Sequence, residues 1–399
     1  MTETPVPARA DAVVVGGGCM GASVAFHLAR RGVKVVLLEK GHIASGATGH
    51  SGAIVRQHYE TRLGARLARR SLAFFERFQE ETGSSAGFRT TGFLSGARTR
   101  DLAAFDALFD LLKSEGVRVE RLDAKEATAL EPALDAPDYA AVVHDPEAGY
   151  ADPIATAEGF ASAARRDGAA VLESVRVGGL LLRKGRVAGV RLRGGGTIAS
   201  ERVVLAAGNW TPAFARTAGV RLPIRFVHGE VAILRRPRDF GASPRIHFDF
   251  YHRTYSRPDG ERDTLVGYMA RRERVLRRHE LADDSVPGPT VRDLRRRIAG
   301  RFPSMARAQP RGGWAGVYDV TPDGYPIVDR VGPAGLFVAV GFSGHGFKLS
   351  PELGRLLAEF VAKDRKSPEL EALAASRFAR RRPIRPEAPF PARRGARIP

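Results

Sequence analysis

Residues 11–39 read DAVVVGGGCMGASVAFHLARRGVKVVLLE. An apolar, β-branched run ends in glycines at position 16, and an apolar-periodic stretch follows over 22–31. Gly32 stops that stretch, and 33–38 forms a second β-branched run. Strand, tight turn, helix and strand in this order open a βαβ unit. Gly16, Gly18 and Gly21 form GxGxxG inside the turn. The first glycine permits the turn, the second lets backbone approach a pyrophosphate, and the third allows close helix packing. The helix N-terminus then offers unpaired N–H groups and partial positive charge to phosphates. Glu39 ends the second strand, where an acid accepts hydrogen bonds from ribose hydroxyls. The stretch therefore predicts a dinucleotide site. Cys19, inside the turn, reads as a small core residue.

The rest of the chain sets the frame. Its 399 residues suggest two packed units, and 43% hydrophobic with 27% charged residues is an ordinary globular composition. No run of eighteen apolar residues is present, so no membrane span is expected. The stretch 1–10 lacks an apolar core and reads as neither signal peptide nor anchor. One cysteine excludes an internal disulfide and suits a reducing compartment, so a cytoplasmic protein is expected. The formal charge of +19 concentrates in part at the C-terminus, where residues 376–399 carry eight arginines against Glu387, a net of +7. That proline-rich segment reads as a partly disordered tail. A second basic cluster spans 271–278 and 292–301. Solvated surface charge accounts for both, and no nucleic-acid partner is expected.

Further along, Asp152-Pro153 marks a helix start, with Asp as N-cap and Pro at the first helical position. Short runs near Val171, Leu180 and 187–193 read as strands between glycine turns, and 203–207 and 336–340 as buried strands. Segments 88–95, 231–235 and 265–270 alternate like half-exposed strands, while 101–115 and 291–301 look like amphipathic surface helices. A nucleotide-binding unit drawn from the start, middle and end of the chain, with a sheet-based unit inserted twice, accommodates all of these.

GxGxxG alone suits NAD as well as FAD. Two glycine-rich stretches separate them: ASGATGHSG at 44–52, and GFSGHGFK at 341–348 leading into Ser350-Pro351-Glu352 and an apolar-periodic helix. Such backbone lies against a flat ring and points N–H groups at its carbonyls, with Ser350 and Pro351 as cap and entry of the helix. With SGATGHSGAIVRQHY at 45–59, VVLAAGNW at 203–210, WAGVYDVTPDGYPIVD at 314–329 and GFSGHGFKLSP at 341–351, the chain resembles the FAD-dependent D-amino acid oxidase superfamily. Within it the likeness is to the glycine/sarcosine oxidase and dimethylglycine dehydrogenase branch, and it runs from Asp11 to about Phe378.

The resemblance implies an α/β fold with a Rossmann-like FAD-binding domain in three discontinuous segments, 1–85, 145–222 and 326–362. It implies an inserted α+β substrate domain with a mostly antiparallel sheet, 86–144 and 223–325, and leaves 363–399 as a C-terminal basic extension. The implied cofactor is FAD, held by Gly16, Gly18, Gly21, Glu39, Lys40, Ser45, Thr48, His50, Val175, Gly208, Gly341, Ser343, Gly344, Gly346, Phe347 and Lys348. The implied reaction takes hydride from the carbon beside the nitrogen of a small amine, in the first place an N-methyl or secondary amino acid, giving an imine that hydrolyses. A D-amino acid, proline or opine dehydrogenase, a subunit of a hetero-oligomeric sarcosine oxidase-like complex, and a tRNA-modifying amine oxidase are the alternatives.

Fixing an amino-acid carboxylate requires positive charge, and in the sarcosine oxidases the arginine of I-x-R-x-x-Y and the lysine of GFSGHGFK share that task. The matching residues are Arg56 and Lys348. Tyr255 matches an active-site tyrosine, with a core tyrosine as the other reading. His345 is expected to be a structural residue of the flavin loop rather than a base. Gly316 replaces the cysteine that carries flavin in monomeric sarcosine oxidases. His50 matches the flavin-bearing histidine of the dehydrogenases, but the tryptophan of their run is absent, so non-covalent packing is expected. Leu265 and Met269 replace the oxygen-activating lysine and the histidine of the oxidases. The expected acceptor is thus a quinone, an electron carrier or a partner subunit before oxygen, which favours a dehydrogenase.

Overall fold

The computed structural model describes residues 6–242, 244–269, 275–277, 279–281 and 283–391. Ala12–Val15 lies at the centre of a six-stranded sheet in the order Ile327–Arg330, Leu336–Val340, Val203–Leu205, Ala12–Val15, Val35–Leu38, Ala170–Leu172. All neighbours pair in parallel except the outer Ile327–Arg330. Continuous β-branched runs are what a sheet covered on both faces demands. Ala12, Val14 and Leu37 pack with Phe26, Phe160 and Leu353 from the helices Cys19–Ala29, Pro153–Arg166 and Gly346–Lys363. Val13, Val15, Val36 and Leu38 face Val177, Val190 and Ile198 of an antiparallel meander. Each phenylalanine buried in this way contributes about 1.5–3 kcal/mol. The helices Cys19–Ala29 and Gly346–Lys363 cross closely, since a Cβ on Gly354 would meet Ser23 Oγ at 2.1 Å.

A nine-stranded sheet takes its strands from two other stretches of the chain, Phe93–Ala97 through Ala141–Asp145 and Arg225–Arg235 through Gln309–Val320. It is antiparallel apart from the pair Ile246–Asp249 and Phe93–Ala97. Its back is covered by the helix Gly288–Ala299, whose Val291, Leu294 and Ile298 meet Ala232, Leu234 and Val266. The expected helices at 152–166 and 101–115 form as Pro153–Arg166, with Asp152 Oδ1 capping Ile154 N and Ala155 N, and Leu102–Ser114. No described helix is long and apolar enough to cross a membrane.

Two expectations are corrected. The last long helix begins at Gly346, not at the Ser350-Pro351 pair. Pro351 lacks the N–H that would reach Phe347 O, and Ser350 Oγ donates to that carbonyl instead at 2.9 Å, so the helix tolerates its proline. The second correction concerns 376–391, which packs rather than hanging loose. Ala388 and Phe390 enter the main core, and buried Arg377 pairs with Asp323 at 2.8 Å. The rest of the tail, 392–399, and basic positions 271–274 and 278 lie outside the described residues.

Candidate active site

A cavity of about 3310 Å³ runs from the GxGxxG turn to the nine-stranded sheet. At its nucleotide end Gly16 has φ +109°, and a Cβ there would meet Ala206 O at 2.5 Å. One on Gly21 would meet Gly16 O at 1.9 Å, the close helix–strand packing its place in the motif requires. Glu39 Oε2 accepts from Gly17 N at 2.7 Å and Oε1 from Gly41 N at 2.8 Å, and the carboxylate borders the cavity with lone pairs to spare. Val175 N donates to Glu39 O at 2.8 Å, which brings Val175 to the same end. Thr48 Oγ1 sits at the helix N-terminus, accepting from Cys19 N at 3.1 Å, and Gly18 and Ser45 line the cavity beside it. Lys40 Nζ is 3.4 Å from the centroid of Trp210 and 3.0 Å from Glu280 Oε1. Cys19 packs in the main core beside the cavity, and burial pushes its thiol pKa up.

Residues of both further glycine loops line the middle of this cavity. His50 Nδ1 faces Gly46 O at 3.1 Å, Nε2 faces Asp284 Oδ2 at 3.3 Å, and Trp314 Nε1 donates to His50 O at 2.8 Å. A Cβ on Gly316 would lie 3.1 Å from His50 Cβ, so the two positions matched to flavin attachment residues adjoin each other. In the second loop Gly341, Ser343 and Gly344 have φ +74°, +53° and +80°. Asp319 holds this turn: Oδ2 accepts Gly341 N at 2.6 Å, and its carbonyl accepts Ser343 N at 2.8 Å. Gly341 therefore lies behind the cavity wall, against Thr321 and Ile224, while Ser343, Gly344, Gly346, Phe347 and Lys348 line it. Gly208 (φ +50°), Gly344 and Gly46 have no heavy atom within 4 Å of a would-be Cβ. Open space at glycines along one cavity, with a helix N-terminus and an acid at one end, fits a dinucleotide continuing into a flat ring.

At the far end the structure brings together Arg56, Lys348, His345 and Tyr255. The Arg56 guanidinium lies 5.0 Å from the Tyr59 ring centroid and 4.8 Å from that of Phe248. Its Nη1 donates to His58 O, and its buried Nε has no hydrogen-bond partner. Lys348, in the first turn of the helix Gly346–Lys363, is 6% exposed, with Nζ 3.5 Å from Gly344 O. Burial, reinforced by Arg56, holds the Lys348 pKa well below the ordinary lysine value. A helix N-terminus is also the wrong end for a cation, and among the described residues neither Arg56 nor Lys348 forms a salt bridge, although the charges of Glu60 and Asp145 act on Arg56. Burial likewise keeps His345 neutral, its pKa well below the ordinary value, and its Nδ1 pairs with Tyr59 Oη at 3.0 Å. Tyr255 lies flat over Gly267, where a Cβ would come within 2.3 Å of its ring, and burial raises its hydroxyl pKa to about 12. Leu265 is fully buried with Cδ2 3.7 Å from a would-be Cβ on Gly52, and Met269 lines the cavity. Tyr59, Asp319 and Phe248 were not singled out from sequence. Tyr59 was within reach, because it closes the stretch 45–59 three residues after Arg56.

The chain is 29% identical over 390 residues to 4-methylaminobutanoate oxidase (formaldehyde-forming) of Paenarthrobacter nicotinovorans, covering 95% of this chain but 47% of that protein. The chain thus spans about half the length of that relative. It is 28% identical to glycine oxidase of Geobacillus kaustophilus over 382 residues, covering 92% of this chain and 97% of the relative. The L-proline dehydrogenase structure from P. horikoshii superposes with a TM-score of 0.87 at 27% identity, covering 95% of this chain and 100% of that one. Residues 11–360 match the model of the family described as DAO, FAD dependent oxidoreductase; the chain belongs to this family, and its cofactor is FAD.

Proposed function

We propose that the protein oxidises the carbon–nitrogen bond of a small amino acid bearing an N-methyl or other secondary amine, giving an imine that hydrolyses. The observation that carries this reading is the buried pair Arg56 and Lys348, which borders the cavity without a salt-bridged carboxylate among the described residues. A carboxylate fits both: a guanidinium grips it in plane, and an ammonium adds a point charge. The three relatives described above are named for 4-methylaminobutanoate, glycine and proline, and each of these joins an amine to a carboxylate. FAD supplies the two-electron acceptor.

The residues of the chain do the rest. Arg56 and Lys348 hold the carboxylate, and Tyr255 Oη, protonated below pH about 12, hydrogen-bonds the substrate. His345 stays neutral, so the charge felt by the amine is positive, and the ammonium form is driven to lose its proton to solvent before reaction. No strong base is required. His50, with both ring nitrogens facing protein oxygens, packs beside the ring without a covalent link. Buried Leu265 offers no cation to superoxide, so a quinone, an electron carrier or a partner subunit accepts the electrons in preference to oxygen. Turnover of sarcosine, proline and glycine with an artificial dye acceptor, with the carbonyl product identified, tests the reading. Activity confined to amines without a carboxylate would refute it.

A further inference from the structure

We propose that the segment 381–391 is the outer wall of the amine pocket and that Phe390 sets the size of the substrate admitted; this rests on the amino-acid reading above. The segment lies beyond residue 360, where the family match ends, yet it is pinned at two places. Ile384 N donates to Asp323 Oδ2 at 3.0 Å, and Asp323 is itself gripped by buried Arg377 at 2.8 and 3.0 Å. Further on, Glu387 N and Ala388 N donate to Glu60 O at 2.8 and 3.1 Å, and Phe390 N donates to Glu60 Oε1 at 3.2 Å. Glu60 closes the run Arg56-Gln57-His58-Tyr59-Glu60, so the strap docks on the same stretch that carries the carboxylate-binding arginine.

This docking buries Phe390 to 1% exposure, with its ring 5.4 Å from that of Phe250 and 6.3 Å from that of His58. The His58 carbonyl in turn accepts the Arg56 hydrogen bond. Phe390 and Phe250 line the cavity together with Phe248 and Tyr255, giving an apolar boundary on the side chain or N-substituent of a substrate whose carboxylate Arg56 holds. Such a boundary admits a small apolar group and rejects one that overlaps the ring.

The test uses the FAD-loaded full-length chain and its Phe390→Ala and Phe390→Leu variants. Acetate and phenylacetate are titrated as unreactive carboxylates, read by perturbation of the flavin absorbance. The ratio of phenylacetate to acetate affinity should rise by about 10-fold or more in the variants. An unchanged ratio in variants that retain FAD would place the wall elsewhere and overturn the proposal. If Phe390→Ala loses FAD, Phe390→Leu, which keeps an apolar side chain in the core, carries the comparison. Loss of FAD from both variants would show a structural plug and also overturn it. If acetate fails to perturb the wild-type flavin, the carboxylate site itself is wrong, an outcome distinct from an unchanged ratio.

Discussion

Arg56→Met is the substitution that separates the carboxylate grip from everything else in the pocket. Methionine keeps an apolar stem between Tyr59 and Phe248, whose centroids lie 5.0 and 4.8 Å from the guanidinium carbon, so packing is largely preserved. What disappears is the charge and its donors, of which one is spent on His58 O and the buried Nε has no protein partner. Charged hydrogen bonds contribute about 1.5–3 kcal/mol each, and loss of a buried charged partner costs about 2–5 kcal/mol. With Lys348 still in place, a loss of about 3 kcal/mol in transition-state binding is expected, roughly 150-fold in kcat/KM. The assay compares sarcosine with dimethylamine, its counterpart without the carboxylate, at matched flavin content. The loss should fall on sarcosine and leave the amine nearly untouched. Equal losses on both, or a normal kcat/KM for sarcosine, would refute the assignment of Arg56.

Three other outcomes follow from the same geometry. Glu39→Ala removes the acceptor of Gly17 N and Gly41 N together with the proposed ribose acceptor, and should weaken FAD retention by about 10-fold or more on dialysis; full retention would show that Glu39 does not hold the ribose. Lys348 has a depressed pKa in the free enzyme, and a bound carboxylate favours its charged form, so affinity for acetate should fall as pH rises through that depressed value. Lys348→Met should bind acetate more weakly and without that pH dependence; a wild-type affinity flat with pH would argue against the lysine. Stopped-flow mixing of substrate-reduced enzyme with air-saturated buffer should show reoxidation slower than dye-coupled turnover, and equally fast reoxidation with stoichiometric peroxide would contradict the role given to Leu265.

The nucleotide end was legible in the sequence because its physics is local. Strand, glycine turn, helix and acid fall within 11–39, and glycines mark where backbone must approach backbone. The proposed reacting end rests on motif resemblance, because the residues that the structure brings together there come from distant positions. Tyr59 and His345, for example, are 286 residues apart. Ser350 and Pro351 carry a strong start signal, yet the helix begins at Gly346 because a side-chain hydroxyl replaces the bond that proline cannot make. The strap at 381–391 was illegible for a different reason. Its arginines and prolines suggest a solvated tail, while its order comes from the Ile384 N–H bond to Asp323, which Arg377 holds, and from bonds to Glu60, none of which leaves a periodic signal.

We propose that bound FAD accepts electrons from a small amine whose carboxylate is held by Arg56 and Lys348. Anaerobic titration of the purified yellow protein with sarcosine, proline and dimethylamine tests it most directly. The absorbance of the oxidised flavin should bleach rapidly with a carboxylate-bearing amine and about 100-fold or more slowly with dimethylamine, as a carboxylate grip of about 3 kcal/mol implies. A colourless protein, or a flavin bleached by dimethylamine as readily as by the amino acids, would contradict it.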